Sequence, residues 1–220
     1  MLCFDIGANR GDFTLAALSK GYRVIALEPA PRVFSALVTN FIYNLDVIPL
    51  RYAVSGSDYA TIEFFEAEED GLSTINLDWL TNESMPYTGK PYRTIRATTI
   101  TIDKLAELYG TPDLIKIDVE GAEWHVFKGL SSKMGTIAFE WTWATWTEHL
   151  EQLKYLEFGG YTQVAPQFIE HHCQKPEIWY DIKDFDLGNW HNQYAEAWEN
   201  GAWKKSNLRP TADVGMLWVR

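Results

Sequence analysis

The chain has 220 residues, 46% of them hydrophobic, and a formal net charge of −11. That length and apolar content fit one globular domain with a sizeable core and exclude a disordered chain. The acidic balance argues against nucleic acid, whose phosphates need clustered Lys and Arg, and no apolar run reaches the roughly 18 residues of a membrane span.

A short apolar strand beginning at Cys3 opens the chain and ends on Asp5. A turn with Gly7 and Gly11 follows, and then a helix over 13–20. Residues 23–27 read as a second strand ending on Glu28, and 32–44 as a helix after Pro29 and Pro31. Residues 47–54 form a third strand, and 61–67 a β-like segment expected to pair with it as a hairpin. From 68 to 93, Gly, Pro, Asn and Ser crowd a stretch long enough to be functional or mobile. Residues 95–102 are extended, and Asp103 reads as the cap of a helix through 109. Strands over 114–119 and 136–140 flank a helix over 123–129. A helix over 148–158 and strands over 161–165 and 214–219 complete the pattern. This alternation of short apolar strands with helices predicts a doubly wound α/β sheet in a single domain over 1–220. Within it, 141–213 is a less regular, aromatic-rich region where acceptor specificity is expected. The first core strand begins within a few residues of Met1, as in a minimal domain or a piece of a longer multidomain protein.

Ligands of open α/β sheets sit outside the carboxyl ends of the strands. Four of the five ends read here carry an acid: Asp5, Glu28, Asp118 and Glu140. Any one of them can cap the next helix, but four together are poorly explained that way. Glu28 lies 23 residues after Asp5, about where an acid takes the ribose hydroxyls of an adenosine-type ligand. The glycine spacing is G-x-x-x-G, not the G-x-G-x-x-G phosphate fingerprint, and Asp5 beside the turn would repel a pyrophosphate. A cofactor with a cationic end suits the turn better than a dinucleotide.

Three separated motifs, D-I-G-A-N-R-G (5–11), A-L-E-P (26–29) and D-L-I-K-I-D-V-E-G-A-E (113–123), resemble the FkbM family of S-adenosylmethionine-dependent methyltransferases. The resemblance covers about the first 140 residues. It implies a Rossmann-like, seven-stranded, mostly parallel sheet with one antiparallel strand, the class I methyltransferase fold. It also implies O-methylation of sugars or natural products. By that resemblance Asp5, Gly7, Ala8 and Asn9 hold the methionine end of the cofactor, with Phe13 and Thr14 closing over it. Glu28 binds the ribose with Pro29 beside it, Ala53 and Val54 line the adenine pocket, and Asp118 faces the methionine amine.

An acceptor hydroxyl must lose its proton as it attacks, so a positioned base assists. Glu120, Asp118 and Glu140 are the candidates, and His149 is a reserve. The same three acids suit a divalent cation, but their spacing matches no sharp metal motif, so metal-free base catalysis is expected. Lys116, in mid-strand, reads as the partner of a buried carboxylate. Trp141 and Trp143 follow Glu140 and offer flat faces to a sugar ring, whereas Trp79, Trp198 and Trp218 read as packing residues and His171-His172 as a surface pair. The expected activity is methyl transfer to a hydroxyl of a sugar or glycan, a deoxysugar such as rhamnose included. An NAD-linked oxidoreductase or epimerase and a non-catalytic binding module are the alternatives. Two free thiols, Cys3 and Cys173, and an N-terminus interrupted by Asp5 and Arg10 fit a cytoplasmic protein.

Overall fold

A computed structural model describes residues 1–85, 87–168, 173–198 and 214–220, with the backbone alone over 194–198. The first half alternates β1 (Leu2–Ile6), α1 (Asp12–Ser19), β2 (Arg23–Leu27), α2 (Pro31–Phe41) and β3 (Val47–Leu50). Then come β4 (Ala53–Val54), β5 (Thr61–Ala67), the short α3 (Asp78–Thr81) and β6 (Tyr92–Ile100). The second half runs through α4 (Ile102–Tyr109), β7 (Leu114–Ile117), α5 (Glu123–Phe127), β8 (Thr136–Thr142) and α6 (Trp146–Phe158). It closes with β9 (Gln163–Phe168), β10 (Tyr180–Asp181), α7 (Leu187–Trp198) and β11 (Val214–Val219).

Eight strands form the main sheet in the order β10-β9-β11-β8-β7-β1-β2-β3. Strands β3, β2, β1, β7 and β8 are parallel, and β11 runs antiparallel between β8 and β9. This is the mostly parallel α/β sheet expected, with the two-residue β10 added at one edge to make eight strands in place of seven.

The strand period of two sorts the core into two layers. From β1, Phe4 and Ile6 point to a layer with Ile115, Ile117, Phe139 and Trp141. Cys3, with Val24, Ala26, Leu114 and Ala138, packs on the opposite face under Phe13, Ala17, Leu37 and Phe41 of α1 and α2. Asp5 lies on that second face too, in register with Lys116 of the neighbouring strand, so α1 buries both.

Several expected boundaries move. The strand predicted over 47–54 splits: β3 stays at the sheet edge, where Pro49 costs no ladder bond, and β4 joins a separate three-stranded sheet, β4-β6-β5. Strand β5 pairs with β6, not with β3. Burial decides that choice, because Phe64 and Ala97 close a small core with Ala30, Val33 and Ala53. The cap of α4 is Thr101, whose hydroxyl accepts from Lys104 N at 2.9 Å, and Asp103 instead accepts from Ser131 N. Strand β8 runs two residues past Glu140. Among the described residues no helix is long and apolar enough to cross a membrane.

Candidate active site

At the carboxyl ends of β1, β2 and β7 lies a cavity of about 260 Å³. Its floor is the turn after β1. Gly7 has φ 75°, and a Cβ there would collide with the carbonyl oxygen of Asp118. Only glycine therefore lets this turn nest against the end of β7. Gly7 N and Ala8 N both donate to Leu27 O, which ties the turn to β2. Asn9 also has left-handed φ, at 50°. Its amide oxygen is buried with no hydrogen-bond partner among the described residues, and the residue lines the cavity.

Glu28 is buried and lines the same cavity. Its two oxygens accept from Asn9 N at 3.1 Å and Ala30 N at 2.9 Å. Burial pushes its carboxyl up to about 7, against the pull of those two N–H groups. Pro29, Ala53, Val54 and Phe13 complete the expected wall, and Tyr52, Val33, Phe64 and Ile75 extend its apolar side.

Asp5 and Thr14 are not part of that wall. Both are fully buried beneath it, where the Thr14 hydroxyl donates to Asp5 Oδ2 at 2.6 Å. Lys116 Nζ lies 3.6 Å from Asp5 Oδ1 and 3.2 Å from Asp118 Oδ2, and donates to Gly7 O at 2.9 Å. Burial raises the Asp5 carboxyl above its ordinary range, with Lys116 and Thr14 opposing it. The expected cofactor contacts of Asp5 and Thr14 are thus replaced by support from below. Lys116 is the buried partner its mid-strand position predicts, and it joins the first turn to Asp118.

Asp118 and Glu120 line the end of the cavity at β7. Glu140 from β8 joins them, and one oxygen from each of the three lies within 4.8 Å of the others. Burial, reinforced by the Asp118 charge, holds the carboxyls of Glu120 and Glu140 well above the usual range. Trp79 Nε1 donates to Glu120 Oε2 at 3.1 Å. Glu123, at the start of α5, accepts from Val119 N at 3.3 Å and is pushed up to about 7 by burial. It serves the helix terminus and does not line the cavity.

The expected aromatic platform is displaced. Trp141 is fully buried in the core, with Nε1 donating to Gln167 O at 3.0 Å, so it cannot face an acceptor. It points to the face opposite Glu140 because adjacent strand residues alternate. Trp143 stacks on His191 of α7 at 4.1 Å and on Trp146 at 5.5 Å, away from the cavity wall. His149 is also structural. It accepts from Thr142 N through Nε2 and meets Gln152 through Nδ1, and burial lowers it to about 4. Trp79 and Trp218 are buried as expected, while His171, His172 and the Trp198 side chain lie outside the described residues.

Residues 70–79 supply what the sequence motifs leave out. Asp70, Gly71 and Ser73 line the cavity. Asp70 pairs with Arg10 from the first turn and with Arg32 from α2. The one signal in the sequence was the length and composition of the loop.

The methyltransferase FkbM domain profile matches residues 5–186. The chain belongs to the FkbM methyltransferase family. It is 32% identical over 139 residues to the hexuronic acid methyltransferase AglP of Haloferax volcanii, covering 62% of this chain and 52% of that protein. It is 27% identical over 144 residues to Methyltransferase 1 of Beauveria bassiana, covering 59% and 58%. The chain thus spans little more than half the length of these relatives. Among solved structures, a SAM-dependent methyltransferase from Archaeoglobus fulgidus aligns over 100% of this chain and 86% of its own, at 13% identity and a TM-score of 0.43. The precorrin-6y C5,15-methyltransferase of Geobacter metallireducens aligns over 100% and 80%, at 11% and 0.43.

The site fits the S-adenosylmethionine that this FkbM domain implies. Five acids line the cavity (Asp12, Glu28, Asp70, Asp118, Glu120) against Arg10 and Lys116, and both cations are paired with carboxylates. That balance suits a sulfonium and an ammonium and opposes a pyrophosphate. The unpartnered Asn9 oxygen is an acceptor for a ligand N–H or O–H.

Proposed function

We propose that this domain is an S-adenosylmethionine-dependent O-methyltransferase acting on a hydroxyl of a sugar or glycan. The observation that carries the reading is the placement of Asp118 and Glu120 at one end of a cavity whose other walls are Glu28 and the β1 turn. Glu28, Pro29, Ala53 and Val54 would take the nucleoside, and Gly7, Ala8, Asn9 and Asp118 the amino-acid end. When bound, S-adenosylmethionine would supply an electrophilic methyl, the carbon–sulfur bond breaking with its electron pair left on sulfur as the acceptor oxygen takes the carbon. Glu120 receives the acceptor's proton, helped by a burial that raises its proton affinity, while Asp118 and Glu140 orient the hydroxyl. Most of the acceleration comes from alignment of the two reactants. The relative named as a hexuronic acid methyltransferase supports a sugar as acceptor.

A cation-assisted form of the same transfer is the second reading, favoured by the three acid oxygens within 4.8 Å of one another. Methyl transfer to a panel of neutral sugars, deoxysugars and uronic acids, with and without chelator, tests both. Transfer to a hydroxyl that survives chelation is expected. Loss on chelation and recovery with Mg²⁺ or Mn²⁺ selects the cation form. Thermal stabilisation by NAD and not by S-adenosylhomocysteine would sink the methyltransferase reading.

A further inference from the structure

The turn after β7 is strained in a way that calls for a restraint. Glu120 has φ 57° and Gly121 has φ 75°, two left-handed residues in succession. A glutamate in that region is strained by its Cβ and persists only where its surroundings hold it. The surroundings come from a distant part of the chain. The Trp79 ring packs directly against Gly121, where a Cβ would come within 2.5 Å of ring carbon Cε3. Asn76 Nδ2 donates to Gly121 O at 2.8 Å, and Trp79 Nε1 donates to Glu120 Oε2 at 3.1 Å. Trp79 is itself fixed, being 2% exposed, packed with Phe65, Leu72 and Leu80, and 5.6 Å from the Tyr87 ring.

We infer that Trp79 is a positioning residue: with Asn76 it clamps the Glu120–Gly121 turn, engages one oxygen of Glu120 and leaves the other for the acceptor proton. This deepens the proposed function and rests on Glu120 being the base. A free glutamate has three side-chain torsions, and a carboxylate repelled by Asp118 would swing toward solvent. The indole N–H opposes both. It also favours the ionised carboxylate, against burial and the Asp118 charge.

Trp79→Phe keeps a ring on Gly121 and removes the N–H. The expected result is a fall in kcat of about tenfold or more, from loss of a hydrogen bond to a charged group, with cofactor Kd within twofold. The acid limb of the kcat–pH profile should move to higher pH, since Glu120 becomes harder to ionise. A titration of the Glu120 carboxyl by carbon NMR on labelled protein gives the same shift without acceptor. An unchanged Glu120 titration overturns the clamp. A shifted titration with unchanged kcat supports the clamp and overturns the catalytic reading of Glu120 instead. Equal losses of cofactor affinity, melting temperature and kcat without a pH shift would make Trp79 merely structural and also overturn the proposal. Should Trp79→Phe fail to fold, Asn76→Ala loosens the turn from its other side and is read by the same measurements, with a smaller shift.

Discussion

Two groups of acids share one sheet edge and are held differently. Around the first turn, support comes from nearby residues: Glu28 accepts two backbone N–H groups, and Asp5 is braced by Thr14 of the following helix. Around β7 and β8, the acids crowd one another, and among the described residues Glu120 receives one hydrogen bond, from Trp79 forty-one residues earlier. The first group is one wall of the cavity and one carboxylate beneath it, braced mostly by the chain around them, with Lys116 of β7 beside Asp5. The second is a cluster at odds with its own charge, assembled by a remote loop. Under the proposed function, a wall that grips a cofactor gains from local rigidity. A proton acceptor gains from a raised proton affinity, which burial supplies and mutual repulsion reinforces.

Paired substitutions separate the two groups most sharply. Glu120→Gln is expected to lower kcat by about two to four orders of magnitude with cofactor affinity retained. Glu28→Gln is expected to weaken cofactor binding by about tenfold or more, because one of the two N–H bonds it accepts is lost as well. Calorimetric titration with S-adenosylhomocysteine beside single-turnover kinetics reads both, and equal loss of affinity in the two variants would erase the distinction.

Next in size is a pH effect on stability. Glu28 and Glu123 each rise from 4.5 to about 7 on folding. The folded state therefore holds more protons than the unfolded state between those values, so stability falls as pH rises from about 4.5 to 7. The cost is fully present above 7 and absent below 4.5, on the order of 3 kcal/mol for each group. Chemical denaturation of the ligand-free protein should give a higher midpoint at pH 5.5 than at pH 8, and Glu28→Gln should flatten the slope. A slope of opposite sign would show that these carboxyls are better solvated than their burial implies.

The smallest effect concerns the tie between the remote loop and the first turn. The pairs of Asp70 with Arg10 and Arg32 involve half-exposed arginines, so each is weak and screened by salt. Asp70→Asn is expected to weaken cofactor binding by only about two- to fivefold and to remove most of its salt dependence. A loss as large as that of Glu28→Gln would make the loop an equal partner in the wall.

The alternation of apolar strands and helices was legible because burial imposes a period of two on strands and a facial pattern on helices. The glycine turn and Glu28 were legible because a ligand cradle needs them at fixed local offsets. Side-chain direction was harder to read. Asp5 and Thr14 were expected at the cofactor and yet lie under the cavity, since Asp5 shares its sheet face with α1. Trp141 sits next to Glu140 in sequence and on the opposite face in space. The partner of β5 was not legible either, because β3 and β6 offer similar apolar segments and only the small core around Phe64 selects between them. Sequence alone determined the parallel sheet, the glycine turn and the row of strand-end acids, each written in short-range patterns. Tertiary structure alone decided that residues 70–79 reach the site, that Lys116 joins the two halves, and that Trp79 sets the orientation of Glu120. Those contacts join residues tens of positions apart, and no local period or spacing encodes which of them meet.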